Sequence, residues 1–371
     1  MIIDYQFGTT ISLLAFTGLV MRNLRDYRRP SVSLPPTLPF LSICLPVRNE
    51  EENIEACLSC LLAQTYPNFE IVILDDCSED KTAEIVARTA EQDSRVRLIS
   101  GRPITPGWAG KCHACAQLAE AAEGAYLLFV DADTRAEPDL LSSAMTVLHA
   151  SQADMVSTFP FQVVGSFGEL VVLPMLQFLI TALLPIRQVW EHTSPALCAA
   201  CGQFLLFRRS AYDNIGGHAS IPSSFHDGLQ LARKMKRSGG KVYLFDGSPL
   251  LRCRMYVGGR AVWNGFTRNA YEGLGSIPVL VGMTLLLTML FLAPFGFLVW
   301  GLFTGASWTP FCALQVACIL FIRVLQARRF GHWWSIPLHP LSILALIVIQ
   351  WGSLWQTRFG RRIAWKGRTY G

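Results

Sequence analysis

From Phe40 onward, short apolar runs alternate with stretches whose apolar positions recur every three or four residues. The runs Phe40–Pro46, Glu70–Leu74, Val96–Ile99 and Tyr126–Val130 read as buried strands. Between them, Glu50–Gln64 sets Ile54, Leu58, Leu61 and Leu62 at helical spacing, and Lys81–Glu91 and Lys111–Ala122 follow as further helices. Strand and helix in alternation predict a parallel sheet with covering helices, an α/β fold. Such sheets bind ligands beyond the carboxyl ends of their strands, where Asp75-Asp76 and Asp131-Ala132-Asp133 fall.

A different pattern occupies the two ends of the chain. Phe7–Met21 is apolar and followed by Arg22, Arg25, Arg28 and Arg29. It spans about 15 residues where a membrane crossing needs about 20, yet has no small-residue cleavage site, so residues 1–29 are expected to form an anchor. Residues 30–39 carry four prolines and read as a stiff linker. At the other end, residues 277–371 hold three apolar segments, Ile277–Leu302, Phe311–Ile322 and Ile336–Trp355, and then a basic tail. Residues 40–276 form the soluble middle, with one exception near 167–189. The span Leu170–Ile186 has no charge, but a crossing there would put Gly202–Gly240 on the opposite side from Asp131. Pro174 and Pro185 also interrupt it, so an interfacial segment dipping into the membrane surface is predicted.

Composition sharpens this division. Hydrophobic residues make up 51% and charged residues 16%, and no Asp or Glu follows Glu272. That excess belongs to an integral membrane protein rather than to a wholly soluble one. The net charge of +5 comes largely from the acid-free tail and the arginines after the first segment, a membrane-orientation signal and not a nucleic-acid patch. The positive-inside rule places the soluble middle in the cytoplasm together with a loop holding Arg323, Arg328 and Arg329. The same count sends Arg358, Arg361, Arg362, Lys366 and Arg368 outside, unless one segment is re-entrant or Phe7–Met21 does not span; the sequence leaves both open. Eleven cysteines include three Cys-x-x-Cys pairs, at Cys57/Cys60, Cys112/Cys115 and Cys198/Cys201. The intervals between the pairs are too long for zinc modules, and a reducing compartment with free thiols is expected.

The chemistry gathers at strand ends. Asp131 and Asp133 stand two apart on an extended segment, so both carboxylates can reach one ligand. Mg²⁺ is commonly held by one or two carboxylates with substrate phosphates completing its shell, and Mn²⁺ accepts the same oxygen donors. Taken alone, an Asp-x-Asp can also simply solvate a turn. The segment Gly107-Trp108-Ala109-Gly110-Lys111 sets a glycine loop and a cation at a helix start, either an anion site or a plain turn.

The ordered set Pro46-Val47-Arg48-Asn49-Glu50, Asp75-Asp76-Cys77-Ser78 and Asp131-Ala132-Asp133 resembles the nucleotide-sugar domain of the family-2 inverting glycosyltransferases, which have a GT-A (Rossmann-like) fold. The resemblance runs from about Phe40 to Gly240. It implies nucleotide-sugar binding by Pro46, Arg48, Glu50, Asp75, Asp76, Lys111 and Asp131, with Asp133 and Asp131 on Mg²⁺ or Mn²⁺. The family's general base is an Asp late in the domain, usually within Glu-Asp and followed by Leu-Ala and a basic helix. Phe225-His226-Asp227-Gly228-Leu229-Gln230-Leu231-Ala232 matches it, which implies Asp227 as the catalytic base. His226 stands where Glu is usual, either tuning or assisting it. Asp227 as a mere helix cap is the competing reading.

The Gly-Trp-x-Gly-Lys loop is similar to that of members that glycosylate lipids, including ceramide, hopanoid-associated and bacterial carotenoid (chlorobactene-type) glucosyltransferases. Trp108, Arg260 and Trp263 are then expected on the acceptor side, with membrane anchoring an equal reading for Trp263. Processive members carry Gln-x-x-Arg-Trp near that position, whereas this chain has Gly258-Gly259-Arg260-Ala261-Val262-Trp263, so a single addition is expected. The resemblance implies a bacterial-type inner-membrane enzyme with its catalytic domain in the cytoplasm, moving one hexose, UDP-glucose being the expected donor, to a hydroxyl of a hydrophobic lipid. A polyprenyl-phosphate sugar transferase and a non-catalytic nucleotide-sugar-binding membrane protein are the alternatives.

Overall fold

The computed structural model describes residues 2–31 and 37–359, and the backbone of 363–365 and 368–370. Half of the proline-rich linker, residues 32–36, and, from the basic tail, Arg361, Arg362 and Lys366 therefore lie outside the described residues. The chain forms two compact units, one comprising Tyr27–Val163, Arg187–Met255 and Arg362–Gly371, the other Met1–Asp26, Val164–Ile186 and Tyr256–Arg361.

The first unit is α/β. Its strands are β1 (Leu41–Val47), β2 (Phe69–Asp75), β3 (Val96–Ser100), β4 (Tyr126–Val130), β5 (Thr134–Ala136), β6 (Met155–Ser157), β7 (Phe161–Gln162), β8 (Phe204–Arg208), β9 (Val242–Leu244) and β10 (Leu251–Cys253). Seven of them form one sheet in the order β3-β2-β1-β4-β8-β6-β9, and β5-β10-β7 form a small second sheet. Helices Ile54–Leu62, Thr82–Gln92 and Gly110–Ala121 connect β1 through β4, and those four strands run parallel. Leu41, Ile43, Leu45, Ile71, Ile73 and Leu128 are fully buried, each worth about 1.5–3 kcal/mol over the exposed state.

The sheet is mixed where the alternation predicts a parallel one. β8 runs antiparallel to both β4 and β6. Helix Leu140–Ser151 leads on to β6, after which the chain passes through β7 and the broken helical segment before β8 enters the sheet from the opposite end, which an antiparallel ladder permits. The order still reverses at β1, with β2 on one side and β4 on the other, so a switch-point crevice opens at the carboxyl ends of β1 and β4.

The second unit is helical. Helices Ile277–Thr304, Thr309–Phe330 and His339–Phe359 are long and apolar enough to cross a membrane. A π-turn at Leu287–Leu292 precedes Ala293-Pro294, where proline has no N–H to give the preceding turn. The N-terminal apolar stretch is part of a longer helix, Ile2–Asp26, whose buried positions include Gln6, Thr9, Thr10 and Asn23.

The segment near 167–189 is a broken helix whose Leu173, Met175, Phe178 and Ala182 are fully buried. Met175, Phe178 and Ala182 join the core of this unit with Leu13, Leu287, Phe291, Ile322 and Ile343. Arg323 lies in no loop, because nothing interrupts the helix until Gly331 takes φ 83°, and Arg323 is only 2% exposed. Residues 256–276 group with the helical unit. Helix Gly259–Leu274 belongs to the helical unit, lying on His339–Phe359 where Gly352 and Ser353 leave room, with the Tyr271 N–H donating to Ser353 Oγ at 2.9 Å.

The broken helix depends on Asn23. Pro174, the π-turn at Leu179–Leu183 and Pro185 strip it of regular bonds, and Asn23 Nδ2 donates to the Thr181 and Leu184 carbonyls at 2.8 and 2.7 Å. Asn23 Oδ1 accepts from the Ile186 N–H at 3.0 Å. Asn23→Leu leaves three buried backbone groups unpaired and is expected to destabilise the protein by about 3 kcal/mol, seen as a lower thermal midpoint in detergent.

Candidate active site

Strand ends collect the predicted residues of the α/β unit. At β1, Pro46 is half-buried within the ladder opposite Leu74. Arg48, 7% exposed, donates through Nη1 to the carbonyls of Asp76 and Cys77, both at 2.6 Å, and through Nη2 to Glu79 at 3.2 Å. Cys77 has φ 55°, and the guanidinium holds that tight turn in shape. The Glu50 N–H donates to Thr82 Oγ1, and its carboxylate accepts from Asn53 at 3.0 Å. At the end of β2, Asp75 accepts from the Ser78 N–H, while Asp76 is buried with its N–H on the Val47 carbonyl at 2.8 Å. Arg48 and Glu50 thus brace the loop that carries Asp75 and Asp76.

The centre of the site is Lys111, in the first turn of helix Gly110–Ala121. Its Nζ lies 2.7 Å from Asp131 Oδ1, 3.1 Å from Asp227 Oδ2 and 3.0 Å from the Gly202 carbonyl. Its charge is thus turned on two carboxylates, as well as standing at the helix start that suggested an anion site. Asp133 completes the group, accepting from Gln203 Nε2 at 3.3 Å, and Gln203 also donates to Cys253 Sγ. Gly202 makes the approach possible, since a Cβ there would sit 2.4 Å from Asp227 Oδ1 and 3.1 Å from Lys111 Nζ.

Three carboxylates around one ammonium leave surplus negative charge. Burial raises the Asp131 pKa to about 7, with Asp133 and Asp227 pushing the same way and Lys111 opposing. Burial would raise Asp227 too, but Lys111 and His218 outweigh it and hold that carboxyl well below the usual range. Burial works against the Lys111 charge, and Asp131 and Asp227 overcome it, raising the ammonium's pKa. Among the described residues no cluster of three or more His, Cys, Asp or Glu is arranged for a metal. A cation here would rest on Asp131 and Asp133 plus oxygens of a bound ligand, and the surplus negative charge fits a hard divalent ion.

Asp227 opens helix Asp227–Arg237 with His226 at the cap position. Its Oδ1 accepts from the neighbouring Gly228 N–H at 2.8 Å, while Oδ2 is turned toward Lys111. His226 is half-buried with its backbone N–H on Ser224 Oγ. The histidine missed from sequence is His218, fully buried, whose Nε2 stands 3.9 Å from Asp227 Oδ2. Tyr212 Oη accepts from the His218 backbone N–H at 3.0 Å and lies 2.8 Å from Nδ1. The tautomer that accepts the phenol proton at Nδ1 carries its own proton on Nε2, the nitrogen on the Asp227 side. Burial lowers the His218 pKa, keeping the ring neutral. The signal was Gly216-Gly217, because Gly217 has φ 48° and a Cβ there would strike the Tyr212 ring at 2.3 Å.

Trp108 is half-buried, with its ring edge-on to His113 at 5.3 Å. Arg260 and Trp263 belong to the helical unit, both exposed on helix Gly259–Leu274, with Trp263 beside Gly352.

A family model described as Glycosyl transferase family 2 matches residues 42–216. The 4,4'-diaponeurosporenoate glycosyltransferase of Staphylococcus haemolyticus (strain JCSC1435) is 26% identical over 374 residues, covering 98% of this chain and 96% of that protein. The protein of the same name from Staphylococcus aureus (strain USA300) is 24% identical over 345 residues, covering 89% and 88%. Among solved structures, the mannosyltransferase PcManGT from Pyrobaculum calidifontis, in complex with GDP-Man and Mn²⁺, aligns with a TM-score of 0.62 at 19% identity over 96% of this chain and 100% of that one. At that identity the likeness is one of fold.

Two stability measurements test the cluster. Gly202→Ala is expected to cost about 1–3 kcal/mol and lower the thermal midpoint, because the methyl group must displace Asp227 or Lys111. Asp227, depressed in the folded state, adds stability above about 3.9, its unfolded pKa, that is lost as pH falls below it. The stability gap between wild type and Asp227→Asn should therefore narrow from pH 6 to pH 3 in parallel thermal melts.

Proposed function

Because the chain is a family-2 glycosyltransferase of GT-A fold, similar to carotenoid glycosyltransferases, we propose that it moves a single hexose from UDP-glucose to a hydroxyl of a membrane lipid such as a carotenoid, with inversion. The observation that carries this reading is the bridge from Lys111 to both Asp131 and Asp227. It joins the carboxylates suited to a donor diphosphate to an acid suited to taking the acceptor's proton.

In this reading Asp75 and Asp76 receive the nucleobase, on the loop that Arg48 braces. Asp131 and Asp133 would hold Mg²⁺ or Mn²⁺, which supplies positive charge against the departing diphosphate. Asp227 Oδ2 takes the acceptor hydroxyl proton as the oxygen attacks the anomeric carbon. His218 keeps the Asp227 carboxylate turned toward the reaction, and Gln203 does the same for Asp133. Three helices long and apolar enough to cross a membrane, in a chain with no acid after Glu272, support a membrane-borne acceptor. The catalytic unit is proposed to face the cytoplasm.

A second reading is favoured by the relatives' names. Diaponeurosporenoate denotes a carboxylate, and a carboxylate acceptor is already ionised at neutral pH and needs no base. The two readings separate in one assay, transfer of radiolabelled glucose from UDP-glucose into an organic-extractable fraction with Mg²⁺ or Mn²⁺. For a hydroxyl acceptor, Asp227→Asn is expected to lower the rate about 10²–10⁴-fold. Asp133→Asn and chelation should abolish labelling with either acceptor. Asp227→Asn within about tenfold of wild type would instead assign a carboxylate or phosphate nucleophile.

A further inference from the structure

The helical unit contains a buried cation that no carboxylate neutralises. Arg323, 2% exposed, donates through Nη1 to Gln326 Oε1 at 2.9 Å and through Nη2 to Ser335 Oγ at 2.7 Å, and its guanidinium lies 5.8 Å from the Phe178 ring centre. Its Nε has no partner. The acids of this unit are Asp4, Asp26, Glu169 and Glu272. Asp26 pairs with Arg22, Glu169 accepts from Gly165, Ser166 and Gly258, and among the described residues Arg323 forms no ion pair.

Arg323 and Gln177 both line a gap of about 10 Å³, room for about one water, together with Pro174, Gln326, Phe330 and His332. Gln177, 5% exposed, has its Oε1 without a partner, so one residue with an unmet donor and one with an unmet acceptor line the same gap. His332 also lines a neighbouring recess of about 430 Å³, with Ser166, Phe167, Gly331, Trp333 and Trp334 on its walls. Phe167, Trp333 and Trp334 are 64%, 51% and 79% exposed. Exposed tryptophans beside such a recess are the side chains that settle at the headgroup level of a bilayer. A charged residue inside membrane helices marks a polar ligand or pathway, since the bare charge is costly.

We infer that this recess binds the headgroup of an anionic membrane lipid, whose charge is attracted by Arg323 on the His332 side of the recess while the exposed tryptophans flank the headgroup. A headgroup that also carries a hydroxyl matches the open acceptor on Gln177. The inference is independent of the transfer reaction and is read by binding alone.

The test uses the full chain in phosphatidylcholine nanodiscs with graded phosphatidylglycerol, which carries both a phosphate and hydroxyls, reading retained lipid by native mass spectrometry and the thermal midpoint in parallel. Wild type is expected to prefer phosphatidylglycerol by at least about tenfold and to melt higher with it. Arg323→Gln should remove that preference and Arg323→Lys retain part of it. Trp334→Glu, at an exposed position that does not threaten folding, should weaken it by placing like charge at the mouth, and decides the matter if Arg323→Gln does not fold. Equal binding of the two lipids by wild type, or an unchanged preference in Trp334→Glu, would overturn the inference. So would equal stabilisation by inorganic phosphate in pure phosphatidylcholine, which would make the site one for a free anion.

Discussion

One ammonium between two carboxylates organises the α/β unit. Lys111 is held from the start of its helix, Asp131 from the end of β4 and Asp227 from the first turn of a distant helix, and the Gly202 carbonyl closes the group. Lys111 and Asp131 are partly buried and Asp227 is buried, so each relies on the others to offset lost hydration. The arrangement fixes where three separate chain segments meet, and it stores negative charge beside the switch-point crevice.

Around that centre, the neighbouring residues act as holders. Arg48 binds carbonyls of the turn after β2, Gln203 binds Asp133, and Tyr212 holds the ring of His218 behind Asp227. Reactive carboxylates keep useful geometry only when such partners fix them, because an unrestrained Asp rotamer would swing toward solvent. The helical unit follows the same logic with backbone groups: prolines break the 167–183 segment, and Asn23 meets the carbonyls they release. Arg323 is the exception, a buried charge that forms no ion pair among the described residues.

Much of the fold was legible because burial on both faces leaves a plain signature. The runs that became β1 to β4 are apolar without alternation, and helices between them keep their periodicity, so their positions were recovered to within a few residues. The antiparallel entry of β8 was not legible, since Phe204-Leu205-Leu206-Phe207 looks the same in either direction. Asp131, Asp133 and Asp227 stood out because carboxylates end apolar runs or sit in a matched motif. His218 did not, because its relation to Asp227 arises from a glycine turn and a tyrosine, neither of which announces a contact nine residues away.

By itself the sequence determined which segments are buried, which are long and apolar enough for lipid, and which acids end strands, because these follow from local period and composition. Tertiary structure decided what charge meets what. Lys111 read as a cation for a ligand and is first a partner of two acids; Arg323 read as a loop charge and lies inside a helix bundle. Pairing of charges depends on distances between segments far apart in the chain, and a single sequence carries period and composition but not those distances.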